Sequence, residues 1–160
     1  MTINAVEDKV DFKRKVLEAA RNKQEQVIAD FRQRIKDAMA NDGNVNEEEY
    51  DSHLQSFKAG ILAEVNLLNN ELDFVNRELE EIKRIENYRE STHSWVRFGS
   101  IVRTDKITFF VSASIEQFYV EGEEIVGLSI LSPMYQAMKG KKVGETFSYK
   151  QTEYVIEEIF

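Results

Sequence analysis

The sequence predicts an α+β protein in which an N-terminal antiparallel coiled-coil helical hairpin precedes a small α+β domain. Three observations predict it. A heptad row of apolar residues runs between 54 and 82, a cluster of turn formers lies at 41–46, and short runs rich in β-branched and aromatic residues fill the chain after 95.

The heptad row is Leu54, Ile61, Leu68, Val75 and Ile82. Val65, Leu72 and Leu79 fall four residues after members of that row, and Phe57 extends the second row toward residue 50. Apolar residues at a and d positions over about four heptads predict a coiled-coil helix over 50–86. Upstream, Val10, Leu17, Phe31 and Ala38 make one weaker row, interrupted by Gln24. Val6, Ala20 and Val27 make the other, interrupted by Lys13 and Arg34, while Ile28 and Ile35 widen the stripe. Between the two patterns stands Asn41-Asp42-Gly43-Asn44-Val45-Asn46, and a short connection between long helices demands antiparallel packing. The hairpin tip is therefore expected at 41–47, with a first helix of about 33 residues. A two-helix rod of this kind is too thin to enclose a ligand pocket.

Residues 1–90 contain two of the seven glycines and no proline; residues 91–160 contain five glycines and the only proline, Pro133. The first ninety residues also hold 14 basic and 20 acidic groups, a charge density suited to solvated helices. The domains are accordingly expected at 1–90 and 91–160, with the boundary near 88–96. About five strands are expected in the second, at 96–102, 107–111, 117–120, 147–150 and 154–160. One helix interrupts them: Ser132 suits an N-cap, Pro133 the first helical position, and Gly140 the residue that closes it.

Composition excludes several classes of function. The formal net charge of −8 argues against strong nonspecific attraction to nucleic-acid phosphates. The chain has no cysteine and two histidines, His53 and His93, so thiolate chemistry and histidine-rich metal sites are excluded. Both histidines are expected at the surface or in a linker. Apolar stretches are too short to span a membrane, the first residues lack a signal-peptide core, and a cytoplasmic location is expected. No nucleophile elbow, P-loop or dinucleotide fingerprint occurs.

Two local signatures resemble the GreA/GreB transcript cleavage factors of bacterial RNA polymerase. In the C-terminal half, Phe98-Gly99-Ser100-x-Val102 opens the domain, and the stretch from Ser129 to Glu145 resembles the family pattern S-P-x-x-x-A-L-x-G-K-x-x-G-D through Ser132, Pro133, Ala137, Gly140, Lys141 and Gly144. The closing Glu153-Tyr154-x-Ile156-x-x-Ile159 fits as well. The second signature is the tip, where Gly43-Asn44-Val45-Asn46-Glu47-Glu48-Glu49-Tyr50 is one residue shorter than the family's G-D-L-x-E-N-x-E-Y. Asn44 stands where the family has its first acid, Glu47 matches the second, and Asp42 sits just before the glycine.

The resemblance implies an FKBP-like C-terminal domain and a role in transcription elongation. It implies a hairpin that enters the polymerase secondary channel and carries tip carboxylates, here Asp42 and Glu47 with Gly43, Asn44 and Tyr50 as their context, to the polymerase active centre. There they would help hold a second Mg²⁺ and orient the water that hydrolyses backtracked RNA, with contact to the transcript 3′ end. Hard cations take carboxylate oxygens, and Asn44 brings an oxygen without charge. The protein would have no cofactor of its own, no small-molecule substrate and no membrane partner, and would not be an enzyme in isolation. Lys139, Lys141 and Lys142 are candidates for contact with an acidic polymerase surface, beside exposed apolar residues of the domain.

Other readings stay open at this point. Asn46 and Glu49 suit an N-x-x-E capping box, which would explain Glu47 and Glu48 as first-turn acids beside the helix dipole. A non-cleaving relative would occupy the channel or compete for it. From another class, the hairpin would be a coiled-coil interaction or chaperone module, although the only apolar tip residue is Val45. A prolyl isomerase would need a deep aromatic pocket that shared fold alone does not supply.

Overall fold

The computed structural model describes residues 2–42, 52–88 and 92–160. Two long helices come first, α1 (Thr2–Asp42) and α2 (Ser52–Glu86). The expected second helix is present over Ser52–Glu86, and the first, at 41 residues from Thr2 to Asp42, is longer than expected.

The chain packs as two compact units, Met1–Gln24 with Glu78–Phe160, and Glu25–Arg77. In the second unit, Ile28 and Ala38 of α1 and Leu68 and Val75 of α2 are buried. Phe57, placed by its spacing on the seam, is half exposed there. In the first unit the two helices run antiparallel: Arg21 pairs with Glu86 at 3.1 Å, and Gln24 Nε2 donates to Glu78 Oε2 at 3.1 Å. The change of sequence character near 88–96 marks where helical periodicity ends. The helix bases nevertheless pack with the sheet, because Phe12, Val16, Leu17, Ala20, Ile82 and Ile85 all enter its core.

The sheet has six strands: β1 (Ile101–Thr104), β2 (Thr108–Ser112), β3 (Phe118–Val120), β4 (Glu123–Ser129), β5 (Thr146–Tyr149) and β6 (Thr152–Ile159). Their order is β3-β4-β2-β1-β6-β5, antiparallel except for the β2–β4 pair. The strand expected at 96–102 begins only at Ile101, since Val96 is held instead by the turn after α3 (Pro133–Met138). Gly140 N–H donates to Val96 O and Val96 N–H to Lys141 O, both at 2.8 Å. Strand β4 was not expected at all. Its two leading glutamates and central Gly127 dilute the β signal, and its place beside β2 comes from tertiary pairing.

Strand alternation divides the core into two layers. Ile101, Phe110 and Ile125 face the helix bases, while Val102, Phe109, Val111 and Leu128 face α3 through Tyr135 and Met138. A β-bulge reconciles β6 with this alternation. Arg103 pairs with Glu158 but Thr104 with Ile156, leaving Glu157 as the extra residue, so Ile156 and Ile159 reach the same layer despite their odd spacing.

Two of the three polar interruptions of the first helical seam, Gln24 and Lys13, are buried, whereas Arg34 is exposed. Gln24 and Glu78 are both buried, and Glu78 Oε1 accepts from Ser114 N–H at 2.8 Å. One carboxylate thus ties α1, α2 and the β2–β3 connection. Burial raises the Glu78 pKa, opposed by the hydrogen bonds from Ser114 and Gln24. A carboxyl raised in the folded state stabilises fully below its unfolded value, and that contribution is lost as pH rises through the folded value. Glu78→Gln is therefore expected to raise stability at pH 7 by about 1 kcal/mol, since the Gln24 amide can turn to present its oxygen. Urea unfolding at several pH values checks this, and the advantage should vanish in acid.

Candidate functional site

The sequence-predicted tip is placed only in part. Asp42 is the last residue of α1, and Gly43, Asn44, Glu47 and Tyr50 lie outside the described residues, as do Asn46, Glu48 and Glu49. The expected C-terminal surface is described in full.

That surface is organised around α3. Ser132 has extended backbone and its hydroxyl accepts from Tyr135 N–H at 3.1 Å, with Pro133 in the first helical turn. This is the predicted cap, built because serine satisfies an orphan amide and proline has none to satisfy. Buried Tyr135 and Met138 anchor the helix to the sheet. Gly140 follows at φ +75°, a left-handed turn that glycine adopts without steric cost.

The turn into α3 presents apolar surface on a braced backbone. Ser132 N–H donates to Ser129 O at 3.0 Å, Leu131 N–H to Ser129 Oγ at 3.2 Å, and Gln136 Nε2 to Ile130 O at 2.9 Å. Leu131 is nevertheless 87% exposed, and Ile130 beside it is also exposed. An exposed leucine on a loop held by three hydrogen bonds has little backbone entropy left to lose on contact.

The three lysines leave α3 in sequence. Lys139 N–H donates to Tyr135 O at 2.8 Å, Lys141 N–H to Met138 O at 3.1 Å, and Lys142 N–H to the Glu145 carboxylate at 2.5 Å. Their backbones are thus fixed, while none of the three side chains pairs with a carboxylate among the described residues. Lys139 and Lys142 are exposed and Lys141 is partly covered. Cations left unpaired on an acidic chain suit an acidic partner surface.

Sequence reasoning missed a second basic group. Lys13, read as an interruption of the seam, is 2% exposed and lines a pocket with Arg84, Ile85, Tyr88, His93, Arg97, Phe98 and Gly99. His93 does lie in the connection after α2, but its ring is half-buried and shares a 2.7 Å hydrogen bond with Ser100. Burial lowers the Lys13 pKa to about 8, with help from Arg97. Burial first, then Lys13 and Arg97, lower that of His93 to about 4. The available signal was the lysine itself, at a position where the heptad asks for an apolar residue.

Among the described residues no group of three histidine, cysteine or acidic side chains could hold a metal ion, and no helix is long and apolar enough to cross a membrane. A pair of long helices, antiparallel at their base and followed by a six-stranded mixed sheet with one capped helix, defines a helical-hairpin plus α+β protein. This architecture is similar to that of three solved structures. The GreA factor homolog 1 (Gfh1) protein of Thermus thermophilus aligns at 19% identity over 89% of this chain and 95% of its own, with TM-score 0.33. A structure of the transcription factor Gfh1 aligns at 19% identity over 88% and 93%, with TM-score 0.32. Thermus aquaticus Gfh1 aligns at 18% over 89% and 94%, with TM-score 0.32. No family model and no curated protein matches the chain.

Proposed function

We propose that this chain is a transcription elongation factor that binds bacterial RNA polymerase, docks through its C-terminal domain, and places the hairpin tip in the secondary channel to stimulate cleavage of backtracked RNA. The observation that carries the reading is the α3 region. The Ser132 cap, Pro133 and the Gly140-Lys141 turn, whose spacing supports the Gre resemblance, form one fixed surface beside exposed Leu131 and three lysines that pair with no carboxylate among the described residues. Leu131 and Ile130 supply the apolar contact, and Lys139, Lys141 and Lys142 steer toward acidic surface. At the tip, Asp42 and Glu47 bring carboxylate oxygens to a Mg²⁺ ion of the polymerase active centre, where the ion stabilises charge on the attacking and leaving oxygens. Hydrolysis belongs to the polymerase, and the factor acts where the polymerase is, in the cytoplasm.

The test is RNA cleavage in purified backtracked elongation complexes with Mg²⁺. Rapid shortening of the transcript from its 3′ end is expected, lost in Asp42→Asn/Glu47→Gln without loss of polymerase binding. Asn44 at the family's acidic position favours one alternative, a non-cleaving channel-occupying regulator. Slowed elongation without shortening would establish that alternative, and the absence of any polymerase binding would overturn both.

Leu131→Asp is expected to weaken polymerase affinity at least about tenfold, because it puts a charge at the centre of an apolar contact. Fluorescence anisotropy with labelled polymerase checks this. Circular dichroism should be unchanged, since the Leu131 side chain is exposed.

A further inference from the structure

The pocket at the base of α1 and α2 carries chemistry that polymerase docking does not use. Its volume is about 230 Å³, and its ionisable lining among the described residues consists of Lys13, Arg84, His93, Arg97 and the phenol of Tyr88, without a carboxylate. In a chain of net charge −8, such a lining departs sharply from the average surface. Arg97 reaches over the Trp95 ring at 5.6 Å and pairs with no carboxylate among the described residues. Arg84 stacks on Phe98 at 5.7 Å and engages Glu81 through one terminal nitrogen, at 2.9 and 3.0 Å, which leaves its other guanidinium donors available. The remaining walls, Ile85, Tyr88 and Phe98, are apolar or aromatic.

We propose that this pocket binds a small phosphate monoester, with the phosphate held by Arg97, Arg84 and Lys13 and a ring-sized body against Ile85, Tyr88 and Phe98. Guanidinium groups match phosphate oxygens with paired donors, and a buried lysine adds a point charge. A doubly charged phosphate suits several cations better than a single carboxylate does. The space exceeds that of the phosphate alone, and the aromatic walls suit a flat organic group. Burial first, and then the Arg97 charge, lower the proton affinity of Lys13, and an anion placed between the two cations relieves both costs. The assignment is independent of the polymerase reading.

Isothermal titration of the full chain with inorganic phosphate, phenyl phosphate, adenosine monophosphate and adenosine tests it. The two monoesters are expected to bind about tenfold more tightly than inorganic phosphate, and adenosine not at all. Arg97→Gln, an exposed substitution, should weaken monoester binding about tenfold, whereas Lys142→Gln should leave it unchanged. Absence of monoester binding at millimolar concentration would overturn the proposal. So would equal losses in the two variants, which would show diffuse charge attraction instead of a site, or equal affinity for inorganic phosphate, which would remove the role of the aromatic walls.

Discussion

Gly127→Ala is expected to destabilise the protein by about 3 kcal/mol or more, the larger of two effects that the sheet predicts. A Cβ added at Gly127 would lie 2.5 Å from Ile115 Cβ and 2.7 Å from Ala113 O. These neighbours belong to the connection that leaves β2, crosses the middle of β4 and is tied there by Gly127 N–H donating to Ile115 O at 3.0 Å. Backbone oxygen and a branched Cβ cannot swing aside as a flexible side chain can. Relief therefore requires moving the whole connection, which carries buried Ala113 and Ile115 and the Ser114 amide bonded to Glu78. For a chain of this length the loss corresponds to a fall in melting temperature of about 10 °C. Thermal unfolding followed by circular dichroism checks it, and an unchanged midpoint would mean that the crossing is looser than the structure shows.

Arg103→Ala is expected to cost about 2–3 kcal/mol at neutral pH. The guanidinium donates to Glu123 through Nε at 2.9 Å and Nη2 at 2.8 Å, and to Glu158 through Nη1 at 2.5 Å. It also stacks on Phe12 and Phe160, at 4.7 and 5.0 Å from the ring centroids. One side chain thus joins α1, β1, β4 and β6, and Thr108 Oγ1 donates to Glu123 at 2.6 Å to complete the cluster. Its removal leaves two partly buried carboxylates without their shared cation, although Lys9 still reaches Glu158 at 2.6 Å. Burial alone would raise both carboxyl pKa values, but hydrogen bonds from Arg103 and Thr108 to Glu123, and from Lys9 and Arg103 to Glu158, outweigh it and hold them below 4.5. A depressed carboxyl stabilises above its unfolded value and loses that contribution as pH falls through the folded one. The wild-type protein should therefore lose stability in acid below about pH 4.5, and Arg103→Ala should lose less over that window. Chemical unfolding at pH 7 and pH 3 separates the two.

The helices were legible because their signal is local and repeated. Five apolar residues at heptad spacing admit few alternatives, and Ser132-Pro133 with Gly140 marks a short helix from both ends. Strand β4 was illegible for the opposite reason. Glu123 looks like solvent-facing charge until Arg103, twenty residues earlier, is seen to neutralise it across the sheet, and Gly127 looks like a breaker until the connection passing over it is seen. The same holds for the candidate sites. Lysines 139, 141 and 142 are visible as a run, whereas Lys13, Arg84, His93 and Arg97 are spread over more than eighty positions and meet only in the fold. Polar residues inside an apolar row were the trace they left. Gln24 and Lys13 both break the first seam, and both are buried.

Entry of the hairpin tip into the polymerase, as proposed, can be tested by site-specific crosslinking. The chain contains no cysteine, so Asn44→Cys gives a single attachment point for a short photoactivatable probe at the tip. In elongation complexes, crosslinks to polymerase segments around the catalytic Mg²⁺ are expected, reduced by Leu131→Asp at subsaturating protein. Crosslinks confined to the outer polymerase surface, or none under conditions where the protein is bound, would contradict tip entry.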